Sequence, residues 1–174
     1  MHTVRRIFAT CKGLAVWQVF FPVTEIIMKL IALDQRQLKK YTVDTEMLQK
    51  AHRPCALIIQ LNYKGHRYDF AVPLRSNIHP SAPKDQYFAL PNRGTTRDNY
   101  RHGVHYIKMF PVDRTKVHKF RTEGNLYYTL IKAVLDKHEK EIIRACQDYL
   151  IKYEQGKRPK YCTDIDLLIN ECLK

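Results

Sequence analysis

Arg53–His79 reads RPCALIIQLNYKGHRYDFAVPLRSNIH, and its reading decides the fold. Two apolar runs, Ala56–Leu61 and Tyr68–Leu74, flank Tyr63-Lys64-Gly65-His66. Runs rich in Ile, Val and aromatic residues, parted by a short segment with a glycine, predict a β-hairpin. The second run stops at Arg75-Ser76-Asn77, and His79-Pro80 follows. An arginine, a hydroxyl and an imidazole at one strand end are groups suited to chemistry on a phosphate. In a hairpin with a short turn, Arg53 and Ser76 fall at the same open end, and His52 enters beside them. Ser76 and Asn77 are also ordinary turn formers, so the residues by themselves allow both readings.

Outward from the hairpin, the chain is basic. Its 174 residues hold 30 Lys plus Arg against 17 Asp plus Glu, a formal charge of +13. Eleven Tyr and seven Phe are interleaved with these cations. Cations for phosphates beside aromatics for stacking point to single-stranded or irregular nucleic acid rather than a membrane. The apolar fraction of 45% excludes a wholly disordered chain. The five cysteines form no C-x-x-C and are odd in number, so reduced thiols and no zinc site are expected. Cys55 precedes a strand, but nothing marks it as activated.

Residues 1–27 form a distinct segment. Arg5, Arg6 and Lys12 precede the apolar stretch Leu14–Val23, which imitates a secretory signal. The stretch is too short for a bilayer and has no clear small-residue cleavage site. Met28-Lys29-Leu30-Ile31 begins as a chain would, so residues 1–27 are expected to be a non-native or disordered extension and 28–174 a single domain.

Met28–Leu33 predicts a strand, and Asp34 caps a helix to about Tyr41. Asp44–Ala51 reads as a second helical turn, with Met47 and Leu48 inward. Gln86–Leu90 predicts a strand, Pro91–Gly103 a long cationic loop, and Val104–Val112 (VHYIKMFPV) another strand. Asn125 caps one long helix to about Glu154, with Leu130, Val134, His138, Ile142, Cys146, Tyr149 and Tyr153 on its buried face. Gly156 and Pro159 end it. Thr163 with Asp166 resembles a capping box for a last helix. No P-loop, H-E-x-x-H or carboxylate cluster occurs. Cleavage of nucleic acid would then proceed without metal, by attack of an RNA 2′-hydroxyl on the adjacent phosphate.

The succession MKLIALD, GHRY, PLRSN, GVHYIKMFPVD and a C-terminal helix ending YEQGK resembles the toxins of type III toxin–antitoxin systems. These are the ToxN/AbiQ-like endoribonucleases, and the similarity is to their CptN/TenpN branch, from about Met28 onward. The resemblance implies an α+β fold: a small, strongly bent antiparallel β-sheet of MazF/Kid type with peripheral helices and a long C-terminal helix. It implies metal-independent RNA cleavage to a cyclic phosphate and a 5′-hydroxyl, with no cofactor. It implies a small pseudoknotted antitoxin RNA as partner in a closed protein–RNA ring, cellular mRNA as substrate, and action in the bacterial cytoplasm against phage. Ser76 matches the family's active-site serine and Arg75 its neighbour. Arg75 stands where the ToxN branch has threonine, and the lysine that follows there has no counterpart here. Arg53 stands near the family's functional lysine. Arg53 and Arg75 are expected to stabilise phosphate charge, Ser76 to position the linkage, and His79 or His52 to move protons. RNA contacts are expected from Lys39, Lys40, Lys64, Arg67, Arg93, Arg97, Arg101, Lys116, Lys119 and Arg121. A non-catalytic RNA-binding protein with the same basic surface is the alternative.

Overall fold

The computed structural model describes residues 28–47 and 54–173. The expectations for residues 1–27, for Leu48 to Ala51 and for the candidate site residues His52 and Arg53 lie outside the described residues. The described chain is α+β, with seven strands in one antiparallel sheet of order β4-β5-β3-β2-β1-β7 and β6 also on β3. The strands are β1 (Met28–Ala32), β2 (Cys55–Tyr63), β3 (His66–Ile78), β4 (Tyr87–Leu90), β5 (Arg101–His105), β6 (Phe110–Pro111) and β7 (His118–Lys119). The helices are α1 (Gln35–Lys40), α2 (Leu126–Lys137), α3 (Glu139–Glu154) and α4 (Ile165–Cys172).

The hairpin forms as predicted. Tyr63 pairs with His66, leaving the two-residue loop Lys64-Gly65. Both loop residues have positive φ, 49° and 77°, the pattern of a type I′ turn whose twist matches that of the strands. Gly65 tolerates its φ because it has no Cβ. The tip is docked on the helices: Lys64 Nζ, Tyr63 OH and Arg158 all reach the Asp166 carboxylate, at 2.6, 2.9 and 2.8 Å.

Strand β3 is the central element. It is thirteen residues long and continues past Leu74, so Arg75, Ser76 and Asn77 lie within a strand and not after one. Its first part pairs with β2 and β6, and from Leu74 it pairs with β5. Pro73, which has no N–H to give, sits where the pairing passes from one set to the other. Both faces of its apolar run are covered. Phe70, Val72 and Leu74 join the core under α2 and α3, and Ala71 joins a second core with Leu38, Tyr41, Met47 and Leu168. A strand buried on both sides reads as a continuous apolar run, as FAVPL does.

Several expectations are corrected. The single helix from Asn125 is two, broken at His138, whose φ of −107° and ψ of 16° leave the helical region. No Pro or Gly marks the break. Tertiary and local contacts meet there: the His138 ring lies 5.2 Å from Phe88, the Glu139 carboxylate accepts Met28 N–H, and at the start of α3 the His138 Nδ1 bonds Glu141 at 2.9 Å. The break shifts the buried face of α2 to Ile131 and Leu135, leaving Leu130 exposed, while Ile142, Cys146, Tyr149 and Tyr153 are buried as expected. The end of α3 is a Schellman motif, with Lys157 N–H on Lys152 O, Gly156 N–H on Tyr153 O, and Gly156 at φ 80°. The expected strand Val104–Val112 is interrupted by a 3-10 turn, Tyr106–Lys108. Buried Thr163 donates to Met109 O and Ile107 O there, so it is tied to this segment and Asp164 caps α4 instead. Arg101 to Gly103 belong to β5, not to the preceding loop.

Candidate active site

The site is built where β3 leaves the core. Register along β3 and β5 runs Leu74 to Val104 and Arg75 to Gly103, then slips before Ile78 meets Arg101. Two residues, Ser76 and Asn77, thus oppose the single residue His102. This is a β-bulge, a device that bends a strand and re-aims its side chains. On its other edge β5 is approached closely by β4, and this requires Gly103. A Cβ on it would stand 2.3 Å from the Phe88 carbonyl oxygen.

Beside the bulge opens a cleft of about 720 Å³. Arg75, Asn77 and His79 line it from β3 and its end, His105 and Lys108 from β5 and the 3-10 turn, and Pro159, Lys160 and Tyr161 from the segment before α4. Glu46 is the one acid among its described lining residues. The cleft is therefore cationic.

Within it Arg75 NH1 lies 3.2 Å from His105 Nδ1. A guanidinium only donates, so Nδ1 accepts and the imidazole proton sits on Nε2. His105 is 5% exposed, and its Nε2 has no hydrogen-bond partner among the described residues. Burial, with Arg75 and Lys108 beside it, pushes its pKa down to about 3. The ring is neutral and serves to aim the guanidinium. The Lys108 side chain is 6% exposed, and its ammonium donates to the Glu46 carboxylate at 2.7 Å and to Glu46 O at 3.0 Å. His79 is exposed. Its Nδ1 accepts Ser81 N–H at 3.2 Å and pairs with Ser81 Oγ at 2.7 Å. Ser76 is half-buried, and no described residue hydrogen-bonds its hydroxyl. It lies in the bulge between two lining residues and is not itself among the residues lining this cleft.

The expected RNA-binding residues fall into groups. Arg97 and Arg101 join the bulge: Arg97 N–H donates to Asn77 Oδ1 at 3.0 Å, and Arg101 pairs in register with Ile78. Arg93 lies over the Tyr127 and Tyr128 rings and donates to Tyr128 OH at 2.9 Å. Tyr127 in turn bonds His102, opposite the bulge, at 2.6 Å. Lys39, Lys40, Lys116 and Lys119 belong to the other side of the sheet, around α1 and β7, and exposed Arg121 follows β7. Lys64, Lys116 and Lys119 are ion-paired with Asp166, Asp113 and Glu123. Arg67 reaches Gln60 at 3.3 Å.

Sequence reasoning missed His105 as the partner of Arg75, and it missed Lys108 and Glu46 altogether. Lys108 carried a signal, being the one charged side chain in the apolar stretch VHYIKMFPV. Glu46 carried none. Among the described residues, no three His, Cys, Asp or Glu side chains converge as metal ligands. No described helix is long and apolar enough to cross a membrane.

The site is thus a cationic cleft beside a β-bulge, at the point where a central strand changes partners. No family model matches this chain, and no curated relative matches it. Solved structures do. One belongs to a bacterial antiviral system regulated by a processed non-coding RNA, with TM-score 0.60 and 14% identity, covering 83% of this chain and 97% of the other. Another comes from bacterial type III toxin–antitoxin systems with selective toxin inhibition by a non-coding RNA pseudoknot, with TM-score 0.59, 16% identity and 84% and 96% covered. A third is AbiQ, a lactococcal anti-phage endoribonuclease of the type III toxin–antitoxin system, with TM-score 0.63, 11% identity and 84% and 96% covered. This chain has the fold of these proteins.

Proposed function

We propose that this protein is the toxin of a type III toxin–antitoxin system, an endoribonuclease held inactive by a small RNA that it processes itself. The observation that carries the reading is the bulge Ser76-Asn77 beside Arg75, whose guanidinium His105 aims within a cationic cleft. The shared fold with proteins of that system adds to it.

In the proposed reaction the ribose 2′-oxygen attacks phosphorus while the bond to the 5′-oxygen breaks. The products are a 2′,3′-cyclic phosphate and a 5′-hydroxyl, so one proton leaves the 2′-oxygen and one reaches the 5′-oxygen. Arg75 stabilises the charge that gathers on the phosphorane, and Ser76 orients the linkage. His79 moves a proton. Arg53 and His52, adjacent in sequence to β2, complete the proposed set. The chemistry proposed needs no metal. The antitoxin is a pseudoknotted repeat RNA that closes a ring with the toxin, the substrate is cellular mRNA, and the setting is the bacterial cytoplasm during defence against phage.

The test is cleavage of RNA in excess EDTA by the parent and by Ser76→Ala. Cleavage by the parent, with loss of cutting and retained RNA binding in the variant, is expected. Binding by the parent without cleavage under any condition would leave only an RNA-binding protein. A variant that cuts at the parent's rate would remove Ser76 from the site.

A further inference from the structure

One residue of the cleft is held at a conformational cost that its packing does not explain. Cys162 N–H bonds Pro159 O at 3.2 Å, closing a four-residue turn. Tyr161 occupies its third position with φ of 66°. Lys160 before it has no such φ, so the turn follows the type II pattern, whose third position calls for glycine or asparagine. A side chain with a Cβ is disfavoured there, and an aromatic one has no local polar contact to offset the strain. Yet Tyr161 is 59% exposed and belongs to neither apolar core. Tyr161 is among the residues lining the cleft that Arg75, His79 and His105 line, and Lys160 Nζ lies 4.8 Å from its ring centroid. Backbone strain spent on an exposed aromatic is a mark of function.

We propose that Tyr161 is a stacking platform for an unpaired RNA base next to the cleaved linkage, with Lys160 bound to the phosphate beside it. The proposal rests on the ribonuclease reading for its substrate class. Every base has a flat π-face, so the platform supplies affinity and register, and the groups around Arg75 act on the linkage that register presents. Stacking neutralises no phosphate, so it adds nothing to the salt dependence of binding, whereas Lys160 does.

The experiment measures fluorescence anisotropy of labelled 2′-O-methyl oligoadenylate and oligouridylate, which cannot be cleaved by their own 2′-oxygen, with the full chain. Tyr161→Gly and Tyr161→Ala should weaken binding about ten- to a hundred-fold, while Tyr161→Phe and Tyr161→Trp should bind as the parent does. The slope of log affinity against log salt should be unchanged in all four and shallower by about one in Lys160→Met. Thermal unfolding separates this from a structural role. Tyr161→Gly relieves the strained φ, so its midpoint should equal or exceed the parent's although its affinity falls. Equal affinity of the parent and Tyr161→Gly overturns the platform, as does a loss in Tyr161→Phe as large as that in Tyr161→Gly. A parent that binds neither oligonucleotide and cleaves no RNA overturns the ribonuclease reading, and the platform with it. A parent that cleaves RNA with rate and affinity untouched by Tyr161→Gly overturns the platform alone.

Discussion

Acid should loosen this protein through His105. In the folded state its pKa lies at about 3, because it is buried and faces the Arg75 guanidinium and the Lys108 ammonium, itself paired with Glu46. In the unfolded chain the imidazole returns to its ordinary 6.5. Between those values the unfolded chain binds a proton that the folded protein refuses. Stability therefore falls as pH drops below the unfolded value, and it goes on falling until the folded imidazole also protonates. From about pH 7 to about pH 5 this linkage amounts to about 2 kcal/mol. Other groups titrate as well. Burial also lowers the pKa of His102, which acts in the same direction. The measurement is therefore a difference. His105→Asn keeps an acceptor for Arg75 but does not titrate. Urea unfolding of both proteins at the two pH values should show the parent losing about 2 kcal/mol more than the variant, a midpoint shift on the order of 1 M. Equal losses would mean that His105 is protonated in the folded protein, and the account of a neutral imidazole aiming Arg75 would fail.

Gly103→Ala should lower stability by about 2 kcal/mol or more, because its Cβ meets backbone and not a movable side chain, and thermal unfolding will show it. The same change should slow RNA cleavage, since Gly103 is the register partner of Arg75. Lys108→Met removes one of the cations facing His105, so the acid-induced loss of stability should shrink relative to the parent in the same urea series. Thr163→Val should cost about 1–3 kcal/mol in chemical denaturation by leaving the Met109 and Ile107 carbonyls without their hydroxyl donor.

Much of the fold was legible because its signals are local. Gly65 admits positive φ without steric cost, so the hairpin follows from the short loop and the apolar runs beside it. Asp34, Asn125 and Gly156 act on backbone groups within one turn of themselves, so the helix ends they mark fell where expected. The errors arose where a partner distant in sequence decided. β3 runs on to Ile78 because β5 is there to pair with it, and Val104–Val112 breaks where Thr163 and Glu46 reach it from two directions. No Pro or Gly marks the helix break at His138, and two of its contacts, Phe88 and Met28, stand far off in sequence.

The sequence by itself determined the hairpin, the helix caps and a basic strand end at Arg75, because turn chemistry, capping and charge are properties of adjacent residues. Tertiary structure alone decided that Arg75 meets His105, that Lys108 is buried against Glu46, and that Tyr161 shares their cleft. Those meetings depend on register between strands and on the path of distant loops, and no interval along the chain encodes them.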